Sequence, residues 1–257
     1  MNAARILSAL ELPVHDRVDQ RVPKKLLQDS AAVASGDKTL LQNSIEEVNW
    51  VAVLKPASVG APEYRDGERE YVEIAVVHVR LRQEARAPRI AELVHRAIPY
   101  PVVLVLELDV GSLISVAHKR WAQNDPTKMV LDEGPTDAWL DSQAEEAVSI
   151  VDAFLASLSM RTRSRTHLKD MYQGWLDAVN ALQTARITGR FVLPASREDA
   201  QDQRDLLQRC RDIDVKLTGL RAAALKEKQV PRQVDLNLEI KALRLEREQL
   251  VASMQRP

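Results

Sequence analysis

Two runs of heptad-spaced apolar residues within residues 191–257 constrain the fold more than any other feature of the sequence. The first run is Leu206, Cys210, Ile213, Leu217, Leu220 and Ala224, and the second is Leu236, Ile240, Leu243, Arg247, Leu250 and Met254. Alternating spacings of four and three residues are typical of the contact seam of a coiled coil. Pro231 separates the runs, and Ser196 is a favourable N-cap for the first. The pattern predicts two long helices that fold back on each other, because the break between them is short.

Several apolar residues of this hairpin lie outside the two seams. They are Leu207, Val215, Leu225, Leu238 and Leu245. A two-helix hairpin has one internal seam, so these residues leave apolar surface available to a third helix. We expect a protein partner or a second copy of the chain to cover this surface. Packing against the chain's own helices within residues 136–190 is the alternative.

Residues 1–135 alternate between strand and helix patterns. Tyr71–Arg82 is rich in β-branched residues, and Val102–Leu108 is an apolar run typical of a buried strand. Arg86–Ala97 between them has the spacing of a helix, and Leu113–Trp121 predicts a strand that pairs with Val102–Leu108 through a short turn. The order of these elements predicts a small mixed α/β sheet with helix cover.

The predicted fold class is therefore α+β, in three parts. A mixed α/β domain occupies residues 1–135, and a helical segment at residues 136–190 packs on it. The coiled-coil hairpin occupies residues 191–257. Within the middle part, Asp141–Leu158 and Thr166–Ile187 both show helical spacing of apolar residues.

Composition narrows the class of function. The formal net charge is −1, so no global positive field attracts the chain to nucleic acid or to anionic lipid. Cys210 is the single cysteine, which excludes an intramolecular disulfide and a cysteine-based zinc site. The sequence shows neither a signal-peptide pattern nor an apolar run long enough to cross a bilayer. We expect a cytoplasmic protein that has no membrane association, no cofactor and no bound metal.

Short basic groups in the α/β part suggest contact with phosphate or nucleic acid. The candidate residues are Lys24, Lys25, His95, Arg96, His118, Lys119 and Arg120. If the fold brings them together, their charges would suit a phosphate backbone. The alternative is that the histidines are structural residues with satisfied hydrogen bonds.

A metal-dependent nuclease is the enzymatic alternative for a small mixed sheet. Such a site holds a divalent ion between carboxylates, beside a lysine. Glu73, Glu107, Asp109 and Lys119 are the candidate residues, although these strands contain no acid-x-Lys pair.

Stretches along most of the chain resemble a bacterial family catalogued as domain of unknown function 4391. The stretches are Asp19–Leu26, Glu46–Trp50, Leu54–Pro56, Glu68–Ile74, His95–Pro101, Ser115–Arg120, Lys226–Gln229 and Val234–Asn237. The hairpin tip departs from the family pattern at Val230 and Pro231, where an aromatic and a polar residue are expected.

The resemblance implies a genomic setting and assigns no activity to any residue. Family members are typically encoded beside a helicase and a DNA methyltransferase, in loci that look like defence against phage. We therefore predict a non-catalytic accessory subunit that binds a helicase or methyltransferase component, or itself, through the hairpin. Nucleic acid is a further candidate partner, and the metal-dependent nuclease remains the alternative.

Overall fold

The computed structural model describes residues 2–30, 34–82, 86–141 and 148–255. The chain divides into two compact units, Met1–Val179 and Asn180–Pro257. The division falls within a long helix, so each unit contains one part of that helix. The predicted mixed α/β fold with a C-terminal pair of packed helices is confirmed.

The first unit contains ten strands and most of the helices of the described chain. Its helices are α1 (Ala3–Ala9), α2 (Lys25–Asp29), α3 (Ser35–Ser44), α4 (Pro56–Val59), α5 (Ala87–Ala97), α6 (Val148–Ser157) and the first part of α7 (Leu168–Thr188). Its strands are β1 (Arg17–Arg21), β2 (Ile45–Leu54), β3 (Tyr64–Arg65), β4 (Glu70–Tyr71), β5 (Ile74–Leu81), β6 (Val102–Leu108), β7 (Gly111–Val116), β8 (Lys119–Ala122), β9 (Asp125–Leu131) and β10 (Thr136–Asp141).

Six of the strands form one mixed sheet in the order β1-β2-β5-β6-β7-β10. The β5–β6 pair is parallel, and the other neighbouring pairs are antiparallel. Parallel neighbours need a crossover connection, and α5 lies in the connection between β5 and β6. The two central strands are apolar on both faces, as expected for strands covered on both sides.

The main core lies between this sheet and the helices α2, α3 and α5. Alternate residues of β5 and β6, such as Val77 and Leu104, point into it and meet Ile90 and Val94 of α5. Val103 and Val105 on the opposite face are also buried, and α1 contacts β6. The central pair of strands is therefore enclosed, which agrees with the apolar run predicted at Val102–Leu108.

The predicted strand Leu113–Trp121 is wrong as a single element. The structure ends β7 at Val116 and begins β8 at Lys119, which pairs with β9 in a separate two-stranded sheet. The break occurs at Ala117, whose backbone N–H donates to the Tyr172 hydroxyl at 2.8 Å. The same hydroxyl lies 3.1 Å from the Ala117 carbonyl oxygen. The Tyr172 hydroxyl of α7 thus forms hydrogen bonds with the backbone groups of Ala117 that a continuous strand would use for pairing.

The predicted helical segment at 136–190 begins with a strand instead. β10 pairs with β7 over its whole length, from Thr136 opposite Val116 to Asp141 opposite Gly111. Ala138 and Leu140 alternate with more exposed residues, which is the pattern of an edge strand with one buried face. The predicted helix Asp141–Leu158 is α6 at Val148–Ser157, and its residues 142–147 lie outside the described residues.

The second unit contains the predicted hairpin of α8 (Arg197–Lys226) and α9 (Val230–Met254). At 1.5 Å per residue, the 30 and 25 residues correspond to lengths of about 45 and 38 Å. Ser196 caps α8 by accepting a hydrogen bond from the Asp199 N–H at 3.0 Å. Pro231 lies in the first turn of α9, where its missing N–H costs no helical hydrogen bond.

Both predicted heptad runs face the interior of this unit. Cys210, Ile213 and Leu217 are buried against Ile240 and Leu250, and the remaining apolar seam residues pack around them. Arg247, the charged interruption of the second run, reaches Asp214 with its Nε at 2.7 Å and its Nη2 at 3.1 Å. The described helices include none with the length and apolar composition needed to cross a membrane.

Candidate functional site

The predicted basic residues do not form one patch. Lys24 donates from its Nζ to the carbonyl oxygens of Gln42 and Ile45, at 2.8 and 3.2 Å, and so connects the start of α2 to α3 and β2. Lys25 is exposed on α2 and lines a groove of about 510 Å³. The groove also contains Asp29, Glu46 and Glu47, so its lining is of mixed charge.

His95 and Lys119 are buried in the interior of the first unit, at 1 % exposure each. The Nε2 of His95 lies 2.9 Å from the Ser115 hydroxyl, and its Nδ1 has no hydrogen-bond partner. Lys119 donates from its Nζ to the carbonyl oxygen of Ile98. Burial lowers the pKa of His95 to about 3, with a smaller contribution from Lys119, and burial lowers the pKa of Lys119 to about 7. At this depth the two side chains do not face a ligand in solvent.

His118 and Arg120 belong instead to a polar cluster, which we name the His118 cluster. Its members come from the β3–β4 ribbon, from β8 and its preceding turn, from the residue after β9, and from α7. They are Tyr64, Asp66, Arg69, Tyr71, His118, Arg120, Asp132, Lys169 and Gln173. The fold therefore brings together residues from four separate parts of the first unit.

A chain of hydrogen bonds runs through the centre of this cluster. The Tyr71 hydroxyl contacts the Nδ1 of His118, and the His118 Nε2 lies 2.7 Å from the Gln173 Oε1. Gln173 in turn donates from its Nε2 to the Asp177 carboxylate at 2.8 Å. An amide oxygen only accepts, so the proton of His118 is on Nε2 and its Nδ1 accepts from Tyr71. Burial lowers the pKa of His118 and raises the pKa of Tyr71, which keeps both groups neutral.

The outer part of the cluster is ionic. Asp132 accepts from Arg69 at 2.5 Å from its Nη2 and 3.1 Å from its Nε, and Arg120 Nε lies 3.2 Å from the other carboxylate oxygen. Two guanidinium groups therefore share one carboxylate, and Arg69 also contacts the Glu68 carboxylate with its Nη1 at 3.1 Å. Asp66 accepts from the Tyr64 hydroxyl, and this bond is the main reason that the pKa of Asp66 is lowered to about 2.

Lys169 completes the cluster beside Tyr64. Its Nζ lies 4.3 Å from the centre of the Tyr64 ring and 3.3 Å from the hydroxyl oxygen, which combines a cation–π contact with a hydrogen bond. In the cluster as a whole, the ring nitrogens of His118 are occupied and the Tyr71 side chain is fully buried. The arrangement is suited to holding the β3–β4 ribbon, β8 and α7 together.

The family comparison gives one match over most of the sequence. A family model described as Domain of unknown function (DUF4391) matches residues 10–246. The chain belongs to this family. The match covers the His118 cluster of this DUF4391 chain and continues through α8 into α9. Neither the search of curated proteins nor the search of solved structures found a match.

The four acidic and basic residues proposed for a nuclease do not converge in the DUF4391 chain. Glu107 lies opposite Arg80 in the parallel β5–β6 pair, and Glu73 precedes β5. The seven residues from Glu73 to Arg80, at about 3.3 Å each, place Glu73 and Glu107 roughly 23 Å apart along the strands. Oxygen ligands of one divalent ion lie within about 2.6 Å of it, so these two carboxylates do not share an ion.

The other two nuclease candidates lie elsewhere. Asp109 has a side chain that is 96 % exposed, and Lys119 is in the interior. Across residues 2–30, 34–82, 86–141 and 148–255, no three His, Cys, Asp or Glu side chains are placed to hold a metal ion.

The predicted partner-binding residues of the DUF4391 hairpin separate into two groups. Leu207 is buried at 2 % exposure, so its assignment to an exposed surface is wrong. Val215, Leu225, Leu238 and Leu245 are exposed at 73, 87, 60 and 57 %. Val234, which the sequence prediction omitted, is exposed at 51 % on the same helix as Leu238 and Leu245.

Sequence reasoning identified the centre of the His118 cluster and missed most of its partners. His118 and Arg120 were candidates, and Arg69 and Tyr71 lie in a stretch that carries the family resemblance. The Asp66-Gly67 pair was a usable signal, since Asp66 accepts from the N–H groups of Glu68 and Arg69 in a tight turn. No local pattern indicated Gln173 or Asp132, which are distant in sequence from the residues that they contact.

Proposed function

We propose that this DUF4391 chain is a non-catalytic accessory subunit of a bacterial DNA-processing or anti-phage defence system that acts in the cytoplasm. Its C-terminal hairpin binds a helicase-type protein or a second copy of the chain. The observation that carries this proposal is the exposure of Val234, Leu238 and Leu245, all more than half exposed on one helix. The defence setting and the class of partner are what the family resemblance implies.

The exposed residues of α9 lie on one side of the helix. Val234 and Leu238 are four residues apart, and Leu245 follows seven residues later. At about 100° per residue, the three side chains fall within a sector of about 40°. Clustered apolar side chains on a solvent-facing helix mark an interaction surface, and the matching partner is another amphipathic helix.

The two outward faces of the hairpin are chemically different. Val215 on α8 and Leu245 on α9 each lie opposite their own helix's buried seam, so they face in opposite directions. Around Val215 the outward positions of α8 include Gln208, Arg211 and Thr218, which are polar. Leu225, the other exposed partner-binding candidate on α8, lies ten residues from Val215 and about 80° around the helix from it. The clustered apolar residues are therefore on α9, and Val215 supplies a control position on the same hairpin.

The separation of Glu73 from Glu107 favours the accessory role over the nuclease alternative. The His118 cluster also supports it, because its ionisable groups are engaged with one another rather than grouped around an open position. An assembly subunit needs a rigid scaffold that presents an interaction element. The mixed sheet and the His118 cluster are suited to be the rigid scaffold, and the hairpin is suited to be the interaction element.

Copurification with the helicase encoded in the same locus tests the proposal. The tagged full chain is compared with a Leu238→Asp/Leu245→Asp variant and with Val215→Asp as the matched control. We expect the wild type and Val215→Asp to retain the helicase, and the double variant to lose it by at least about tenfold, because two leucines that the partner would cover become charged. The proposal is wrong if the wild-type chain neither retains the helicase nor self-associates.

A further inference from the structure

We infer that the outward face of α9 pairs in an antiparallel arrangement with the same face of a second copy of this chain. The inference deepens the proposed function, on which it rests, by naming the occupant of the surface and its orientation.

The outward face of α9 carries a second heptad pattern. Its positions are Val234, Leu238, Lys241, Leu245, Glu248 and Ala252, with spacings of four, three, four, three and four. All six residues are exposed. The pattern is displaced by two residues from the buried seam that begins at Leu236, which rotates it by about 200° and places it on the far side of the helix. Helix α9 therefore has one seam that α8 covers and a second seam, of the same period, that faces solvent.

The two charged positions of this outer seam have opposite signs. Lys241 and Glu248 lie seven residues apart, two turns along the same stripe. Neither forms an ion pair within residues 148–255, the part of the chain that contains the hairpin. A parallel, in-register pair of α9 helices would place like charges opposite each other, which is unfavourable at such positions. The charge pattern thus selects against the parallel arrangement.

An antiparallel pair brings the opposite charges together. A two-fold axis level with Leu243 places Lys241 of one copy beside Leu245 of the other, and Leu238 beside Glu248 of the other. Lys241 and the second copy's Glu248 then lie in adjacent layers, three residues or about 4.5 Å apart along the axis. The long lysine side chain spans that distance. The symmetry repeats the contact, so the interface contains two such ion pairs. Leu238 and Leu245 lie beside the charged residues of the partner, and Val234 packs against Ala252 of the partner at each end.

The same face of α8 does not offer this complementarity. Its equivalent positions are Gln208, Arg211, Val215, Thr218 and Ala222, and Arg211 is already engaged with Gln183. The outer seam of α9 lies opposite its inner seam, so the four helices of the pair form a row with the two α9 helices at its centre. The self-complementary charges favour a second copy over an unrelated helix as the occupant.

Charge exchange tests both the occupant and the orientation. The full-length wild type, Lys241→Glu and Glu248→Lys are each measured by size-exclusion chromatography with light scattering, and then the two variants are mixed. Lys216→Glu, an exposed charge reversal on α8, is the matched control. The wild type and the control are expected at about twice the 28.9 kDa chain mass. Each single variant repels its own copy at both sites and is expected to dissociate at least about tenfold more readily.

Mixing distinguishes this interface from a general loss of folding. In the mixture, a chain with two glutamates meets a chain with two lysines, so both ion pairs form again and the dimer mass returns. Single variants that remain dimeric, or a mixture that remains monomeric, would show that this interface is wrong. A monomeric wild type that still needs Leu238 and Leu245 to retain the helicase would overturn the self-pairing and leave the proposed function standing. A monomeric wild type that ignores the helicase would overturn both.

Discussion

Lys119 makes the stability of the first unit depend on pH, and replacing it with methionine should remove that dependence. The side chain is 1 % exposed, and burial lowers its pKa from 10.5 to about 7. In the unfolded chain the amine keeps its proton to about pH 10. Between these values the unfolded state binds more protons than the folded state, so the free energy of unfolding rises as the pH rises.

The size of the pH effect on the free energy of unfolding follows from a difference of one bound proton between the unfolded and folded states. A full proton of difference changes the free energy of unfolding by about 1.4 kcal/mol per pH unit, which gives a rise of about 2 kcal/mol from pH 7.5 to 9.0. Methionine fills a similar volume but cannot donate to the Ile98 carbonyl oxygen, and an unpaired buried oxygen costs about 1–3 kcal/mol. Removing the buried amine offsets part of that loss near neutral pH. The free energy of unfolding of Lys119→Met, relative to that of the wild type, should therefore be about 2 kcal/mol lower at pH 9.0 than at pH 7.5.

Urea unfolding followed by tryptophan fluorescence measures this difference. All four tryptophans lie at or before Trp175, so the signal reports on the first unit and not on the hairpin. Burial raises the pKa of Tyr71 and Tyr172 above this pH window, and the pKa of His95, about 3, lies below it. Burial also raises the pKa of Cys210, but this residue belongs to the second unit. An exposed-lysine variant, Lys25→Met, should retain the wild-type slope. Parallel pH profiles for the wild type and Lys119→Met would refute the reasoning.

Two further substitutions test the packing around the candidate site and the edge of the sheet. Tyr71→Phe removes the hydroxyl that His118 accepts from, and should lower the free energy of unfolding by about 1–3 kcal/mol in the same urea assay; unchanged stability would contradict that hydrogen bond. Gly111→Ala places a Cβ 2.5 Å from the Leu140 carbonyl oxygen and should separate β7 from β10, destabilising the unit by at least about 2 kcal/mol. Gly67→Ala, where no atom lies within 4 Å, is the control and should change the melting temperature little by comparison.

Local sequence patterns correctly predicted those strands and helices whose positions depend on the spacing of nearby apolar residues. The run Val102–Leu108 coincides with β6 because a strand covered on both faces is apolar throughout. The heptad runs coincide with the buried face of α8 and α9 because their period matches the geometry of paired helices. In both cases the residues that decide the structure are close together in sequence.

The parts that were missed depend on contacts between distant residues. The break after Val116 results from Tyr172, which lies 55 residues from Ala117, and no feature of the local sequence encodes it. In the His118 cluster, Gln173 lies 55 residues from His118, and Asp132 lies 63 residues from Arg69. The sequence prediction placed Lys119 in a basic patch and Leu207 on an exposed face of the hairpin, whereas tertiary packing buries both side chains.

The molar mass of the unmodified full chain in solution tests the central claim, that the hairpin is an assembly element, most directly. It is measured by light scattering over a series of protein concentrations, alone and with a helicase-type protein as the proposed partner. We expect a mass that rises with concentration from 28.9 kDa towards about twice that value. A mass of 28.9 kDa at every concentration, unchanged by the helicase, would contradict it.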